Sequence, residues 1–251
     1  MMQRYFVDRT SWEDEGVAIT GNDVHHMTRV MRMQEGDTFI CVHPDHGPAL
    51  CEIDKINAGE KVSGTVREWL AENKELPVRV TIVQSLGKGD KLEQVVQKGT
   101  ELGAYDFIPF EAERSVAKWD AKKAKKKVSR LEKIAKEASE QSERSSIPEI
   151  SDVMAMTALI KKSHQYDVKL IAHEEEARSG NHHSLADQLQ RVTRGKRVIV
   201  VFGPEGGFTS EEAEQLLSAD FHPVRLGPRI LRMETAPLYF LSSLSYQLEE
   251  Q

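Results

Sequence analysis

Three charged side chains crowd one short stretch near the end of the chain. Arg229, Arg232 and Glu234 all lie within LGPRILRMETA, residues 226–236. An arginine carries permanent charge on fixed donors and suits a developing anion; a carboxylate can take a proton. The stretch follows a short apolar run, residues 223–226, and precedes residues 237–249, which read as the last helix. Gly227 and Pro228 break the strand, while Ile230 and Leu231 add apolar surface between the charges. Thr235 is placed to cap the helix, and Pro237 falls in its first turn, where a missing N–H costs nothing. A loop of this composition is expected to bind a ligand.

A second stretch points the same way. Residues 198–202, VIVVF, form an apolar run typical of a strand buried on both faces. Gly203-Pro-Glu-Gly-Gly207 follows at once, and Thr209 with Glu212 three places on makes a capping box that opens a helix. A glycine turn between a buried strand and a helix N-terminus lets a ligand approach the backbone closely.

These stretches need a scaffold. Residues 1–71 read as a small β-rich unit, with strands expected at 3–7, 16–20, 37–42, 49–57 and 61–69. A helix over 23–33 interrupts them, with Val24, Met27, Val30 and Met31 at inward-facing spacing and Arg29 and Arg32 on another face. Residues 72–77, polar and closed by Pro77, read as a linker. From residue 78 to 251 strands alternate with helices, which argues for a parallel α/β sheet covered on both sides. The strands are expected at 78–84, 105–110, 168–172 and 198–202, and the helices at 91–102, 122–141, 155–162 and near 184–192.

Composition narrows the class. With 251 residues, 39% hydrophobic and 29% charged, the chain has material for two domains of a soluble globular protein. No run of 18 apolar residues occurs and the N-terminus lacks a signal-peptide core, so a cytoplasmic protein without membrane attachment is expected. Cys41 and Cys51 sit in apolar, strand-like context and read as reduced, buried thiols. His25-His26 and His43-Pro-Asp-His46 lack a complete tetrahedral set, so no metal is expected. Net charge is −6, yet residues 118–136 hold eight lysines and Arg130 against Asp120 and Glu132, a local +7 on a body of −13. That stripe is either a footprint for a polyanion or a solvated helix face. Neither Gly87 nor Gly89 belongs to a GxGxxG fingerprint, and no Walker A loop occurs, which argues against a Rossmann or P-loop enzyme.

Taken together, GPEGG after a buried strand and LGPRILRMETA before the final helix resemble the SPOUT superfamily of RNA methyltransferases. Within it the chain is similar to the RsmE family, which methylates N3 of a uridine in small-subunit (16S) ribosomal RNA. HHMTRVMR at 25–32, KGTELG at 98–103, ERS at 113–115 and EASEQSER at 137–144 extend the resemblance along the whole chain. The resemblance implies an α/β fold of SPOUT type, its parallel sheet ending in a C-terminal trefoil knot, preceded by a small PUA-like β-barrel. It implies S-adenosylmethionine as cofactor, rRNA or the small subunit as partner, and a homodimer.

The chemistry assigns roles within those motifs. Attack by N3 of uridine on a methyl needs loss of an imide proton and help for the charge on the base. Arg232 is expected to stabilise that anion, and Glu234 or Glu205 to take the proton. Cofactor contacts are expected from Gly203, Pro204, Glu205, Gly206 and Gly207 in one loop. Leu226, Gly227, Ile230, Leu231, Met233, Thr235 and Ala236 would supply the other, with Leu170 and Ala172 at a strand end beside them. RNA contacts are expected from Arg29, Arg32, Lys88, Lys91 and Arg114, and from Gln141 and Arg144, which with Glu137 share a helix face at helical spacing. Two other readings stay open at this point. One is a SPOUT enzyme acting on a ribose 2′-OH or a tRNA base; the other is a non-catalytic RNA-binding module. A phosphate-binding α/β enzyme fits less well, because the lysine-bearing loop is absent.

Overall fold

The computed structural model describes residues 2–57, 59–173 and 184–251. They form two compact units: Met1–Glu75 with Ser139–Ser146, and Leu76–Ala138 with Ile147–Gln251.

The first unit is built on a five-stranded sheet. Its strands are β1 (Arg4–Phe6), β2 (Gly16–Thr20), β3 (Thr38–His43), β4 (Gly47–Asn57) and β5 (Lys61–Trp69), in the order β1-β3-β4-β5-β2. β1 runs parallel to β3, and the remaining pairs are antiparallel. Alternate residues such as Tyr5, Ile19, Phe39 and Ile53 fill one core, which also holds the free thiols of Cys41 and Cys51.

The helix between β2 and β3 departs from the expected one. Only α1 (Asn22–His25) is α-helical; His26–Val30 form a π-turn, in which the Met31 N–H donates to the His26 carbonyl at 2.9 Å. The wider turn shifts the phase of every residue after it. Val24 and Met27 are buried as expected, but Val30 and Met31 are 58% and 39% exposed rather than packed inward.

The second unit carries a six-stranded sheet, parallel throughout, in the order β11-β9-β10-β6-β7-β8. Its strands are β6 (Arg79–Ser85), β7 (Asp106–Phe110), β8 (Glu149–Ile150), β9 (Val168–Ala172), β10 (Arg197–Phe202) and β11 (His222–Val224). Helices cover both faces. Val198, Val200 and Phe202 of β10 pack in the cluster that includes residues of α2 (Lys91–Glu101), α3 (Ala121–Gln141), α5 (Leu185–Leu189) and α7 (Ala236–Ser245). Ile199 and Val201 point the other way, into a cluster with α4 (Met156–Ser163) and α6 (Ser210–Ser218). A central strand buried on both faces must be apolar at every position, which is why VIVVF shows no alternation.

Strand order explains where a ligand can go. The chain winds outward from β6 through β7 to β8, then crosses to the other side for β9, with β10 returning between β9 and β6. Where winding reverses, loops at the C-terminal strand ends splay apart and leave a crevice.

Two helix starts differ in their chemistry. Thr209 caps α6 by a reciprocal box: its hydroxyl accepts from the Glu212 N–H at 3.2 Å, and Glu212 accepts the Thr209 N–H at 2.9 Å. Thr235 does not cap α7 with its side chain as expected. The Arg232–Thr235 turn is already helical in its bonding, with the Ala236 N–H donating to the Arg232 carbonyl at 3.0 Å.

Candidate active site

Val224, Ala172, Phe202 and Gln84 form one row across the sheet, at the C-terminal ends of β11, β9, β10 and β6. The first three floor a cavity of about 650 Å³. That volume suits a drug-sized or cofactor-sized ligand.

One wall is the turn after β10. Gly203, Pro204, Glu205, Gly206 and Gly207 all line the cavity. The Gly207 N–H donates to the Pro204 carbonyl at 2.9 Å, and Gly207 has φ +69°, a conformation L side chains resist. A Cβ on Gly203 would lie 3.1 Å from the ring of Phe208, so a side chain there would press on the wall. Arg114 braces the turn: its Nη1 donates to the carbonyls of Gly206 and Phe208 at 3.2 and 3.1 Å.

The opposite wall is the loop after β11. Leu226, Gly227, Ile230, Leu231, Met233 and Ala236 face the cavity, with Arg229 and Arg232 among them. Gly227 has φ +77°, and the Arg225 side chain donates to its carbonyl at 2.9 Å, which holds the bend. Leu226, Ile230, Leu231 and Met233 thus give this wall apolar surface between the charged side chains of Arg229 and Arg232.

The charges converge on Lys91, in the first turn of α2. Its Nζ donates to Glu205 Oε1 at 2.7 Å and lies 3.8 Å from Glu234 Oε2. The hydrogen bond to Glu205 raises the Lys91 pKa above its usual value, so the ammonium stays charged. Partial burial pushes the Glu205 carboxyl up, but the Lys91 ammonium and backbone N–H groups, including that of Lys88, outweigh it and hold the pKa below its usual value. Glu234 Oε2 is buried and accepts no hydrogen bond among the described residues; 3.8 Å from Lys91 is ionic attraction without a bond. Arg232 is exposed at the rim and forms no ion pair with Glu234 among the described residues.

The other expected residues fall elsewhere. Leu170 is wholly buried in the core, and neither it nor Thr235 lines the cavity. Lys91 and Arg114, expected to meet RNA, line this same cavity, and Lys88 lies in the turn just before α2. Arg29, Arg32 and Gln141 are exposed. Arg144 does not share the face of Glu137 and Gln141, because α3 ends at Gln141 and the chain reverses with Glu143 at φ +58°. Arg144 is only 2% exposed, and its guanidinium is engaged with Glu75. Among the described residues, no cluster of histidine, cysteine or carboxylate side chains could hold a metal. Phe202, Phe208 and Val224 also line the cavity; Phe202 and Val224 end their strands, which was the available signal, whereas Phe208 lies just before α6.

Comparisons with known proteins bear directly on this site. The family pattern described as an RNA methyltransferase domain matches residues 74–245, which contain the whole cavity, and an RNA methyltransferase PUA domain matches residues 19–63. Ribosomal RNA small subunit methyltransferase E of Bacillus subtilis is 49% identical, across 99% of this chain and 98% of its own length. The chain belongs to this family.

Solved structures agree over the full length. The family member from Neisseria gonorrhoeae, crystallised bound to S-adenosyl methionine, superposes with TM-score 0.86 at 25% identity, covering 98% of both chains. A Legionella pneumophila structure described as a methyltransferase with bound cofactor SAM gives TM-score 0.85 at 27% identity, again over 98% of each chain. The chain is therefore a methyltransferase of the α/β class, and its N-terminal unit carries the PUA-like domain of the family.

Proposed function

We propose that the protein transfers a methyl group from S-adenosylmethionine to N3 of a uridine in small-subunit (16S) ribosomal RNA. The observation that carries the reading is the cavity itself, in which two glycine-containing loops face each other and Lys91, Glu205 and Arg232 line the wall, with Glu234 outside the lining and 3.8 Å from Lys91. The names of the Bacillus and Neisseria relatives support the substrate and the cofactor.

The residues fit the cofactor. A Cβ on Gly203 would press on the Phe208 ring at 3.1 Å, and Gly227 holds a φ of +77° that side chains resist, so both turns need glycine to keep this shape. Leu226, Ile230 and Leu231 offer an apolar surface for a purine, with backbone groups alongside to read its edge. When bound, S-adenosylmethionine supplies an electrophilic methyl group on a sulfonium sulfur.

The protein's own task is to prepare the uracil. Arg232 stabilises the negative charge that spreads over N3 and its flanking carbonyls as the imide proton leaves. Glu234 takes that proton, since its Oε2 is buried with no hydrogen-bond donor committed to it. Glu205 is the poorer base, being bound to Lys91 and held in its charged form. Lys91 holds Glu205 in its charged form while leaving Glu234 Oε2 without a hydrogen bond among the described residues.

The same reading places the protein in the cytoplasm as a homodimer, with the last segment passing through a trefoil knot. No described helix is long and apolar enough to cross a membrane. α7 buries Phe240, Leu241 and Leu244 but leaves Tyr239 and, just beyond it, Tyr246 37% and 59% exposed, a surface suited to a second copy.

Calorimetric titration of S-adenosylmethionine into wild type and Gly203→Val tests the site. Micromolar binding to wild type, weakened at least about tenfold in the variant, with methylation of small subunits at a uridine N3, is the expected result. Methylation at a ribose hydroxyl would keep the enzyme class and overturn the target.

A further inference from the structure

A second cavity, of about 410 Å³, lies beside the turn between β6 and α2. Its floor is apolar, formed by Leu92, Leu131 and Trp119. Its rim is cationic: Lys88 from the turn, Lys118 from the segment after β7, and Lys123 and Lys127 from α3.

Charge pairing divides those lysines into two kinds. Glu93 is the one carboxylate in the lining, and it is already held by Lys127 at 3.1 Å and Arg130 at 2.7 Å. Burial alone would push its carboxyl up, yet these two cations keep it below the usual range, so it stays ionised and satisfied. Lys88, Lys118 and Lys123 have no carboxylate within ion-pair distance among the described residues. Among the described residues, Lys123 Nζ donates only to the Lys118 carbonyl, at 3.3 Å. Three uncompensated cations around an aromatic floor match a phosphate joined to a flat heterocycle.

Position gives the cavity its meaning. The short turn from Gly87 to Lys91 walls both cavities: Gly87, Lys88 and Gly89 line this one, and Lys91 lines the other. The turn is pressed against the first site, because a Cβ on Gly87 would lie 2.6 Å from the Met233 sulfur. We infer that this cavity receives a nucleotide of the single-stranded RNA next to the base being methylated, its ring on Trp119 and its phosphate among Lys88, Lys118 and Lys123. The inference rests on the RNA methyltransferase reading above and adds a subsite to it.

The test reads RNA binding by the full-length protein without cofactor, so it is separate from catalysis. Small-subunit rRNA is titrated by filter binding across a salt series, for wild type and Lys118→Ala/Lys123→Ala. The double variant should bind about tenfold more weakly near physiological salt, with a salt slope shallower by about 1 to 2, since each lost phosphate contact releases fewer counterions. Its S-adenosylmethionine affinity should match wild type. Unchanged RNA affinity and slope would overturn the subsite. Loss of affinity for free AMP or UMP with rRNA binding intact would overturn it too, by assigning the cavity to a soluble nucleotide. Trp119→Leu should weaken rRNA binding at an unchanged slope, because stacking displaces no ions; wild-type affinity in that variant would remove the base from the site. A wild type that binds rRNA through these lysines yet fails to methylate would sink the proposed function and leave the subsite standing.

Discussion

Lys91 meets one carboxylate 114 residues away in sequence, Glu205, and stands 3.8 Å from a second, Glu234. One ammonium thus stands between two carboxylates and, among the described residues, hydrogen-bonds only the first. Removing each carboxyl in turn separates their roles. Glu234→Gln should lower kcat by about 100-fold or more with little change in cofactor affinity, as loss of a general base does. Glu205→Gln should act mainly on cofactor affinity, because it frees Lys91 and loosens the glycine turn. Steady-state kinetics paired with calorimetry decides; equal effects on both parameters from both variants would refute the division. Either residue alone looked equally able to take a proton in the sequence, where neither the neighbouring lysine nor its distances could be seen.

Among the elements, β6 carries the least explained group. Gln84 is 1% exposed, and neither its amide nitrogen nor its oxygen has a hydrogen-bond partner among the described residues. A buried amide with nothing to bond costs roughly 1–3 kcal/mol, which an apolar side chain of similar shape avoids. Gln84→Met should therefore stabilise the protein by about 1 kcal/mol or more, read as a higher urea midpoint at unchanged slope. A lower midpoint would mean that water or ligand satisfies the amide. Local signals served other elements well. The capping box at Thr209 and Glu212 was legible because its two bonds span only three residues. The π-turn at His26–Val30 was not, since apolar spacing there reads as regular helix. Thr235 likewise carries a capping side chain, but its own backbone is helical (φ −87°, ψ −35°) rather than extended, and its hydroxyl makes no cap bond.

At the scale of the molecule, Ser139–Ser146 belongs to the unit formed mainly by Met1–Glu75, although most of α3 belongs to the other. Arg144 anchors it. Its guanidinium binds Glu75, whose Oε1 also accepts the N–H groups of Ser145 and Ser146 at 2.9 and 3.2 Å. Burial alone would raise the Glu75 pKa, but these donors hold it below its ordinary value of 4.5. A depressed carboxylate stabilises the fold above its ordinary pKa, and that stabilisation fades as pH falls through the depressed value. Glu75→Ala removes the carboxylate that binds the buried Arg144 guanidinium and the Ser145 and Ser146 N–H groups, and should cost about 3 kcal/mol near neutral pH. In urea unfolding the gap between variant and wild type should narrow progressively below about pH 4.5; a gap of constant size from pH 7 to 3 would contradict the assignment. In the sequence Arg144 reads as one more basic residue of an RNA-binding run, because its carboxylate lies 69 residues upstream.

By itself the sequence determined the alternation of strand and helix, the glycine turn after VIVVF, the charged loop before the last helix and the family to which both belong. Those features are local: they depend on residues within a few positions of one another, so spacing and composition disclose them. Tertiary structure alone decided that β10 returns between β9 and β6, and so brought Ala172, Phe202 and Val224 into one row. Parallel strands pair across long connections whose length carries no record of their final order. The union of Lys91 with Glu205 and Glu234, the burial of Arg144 and the cationic cavity at Trp119 follow from that order, since each joins side chains that only the folded chain makes neighbours.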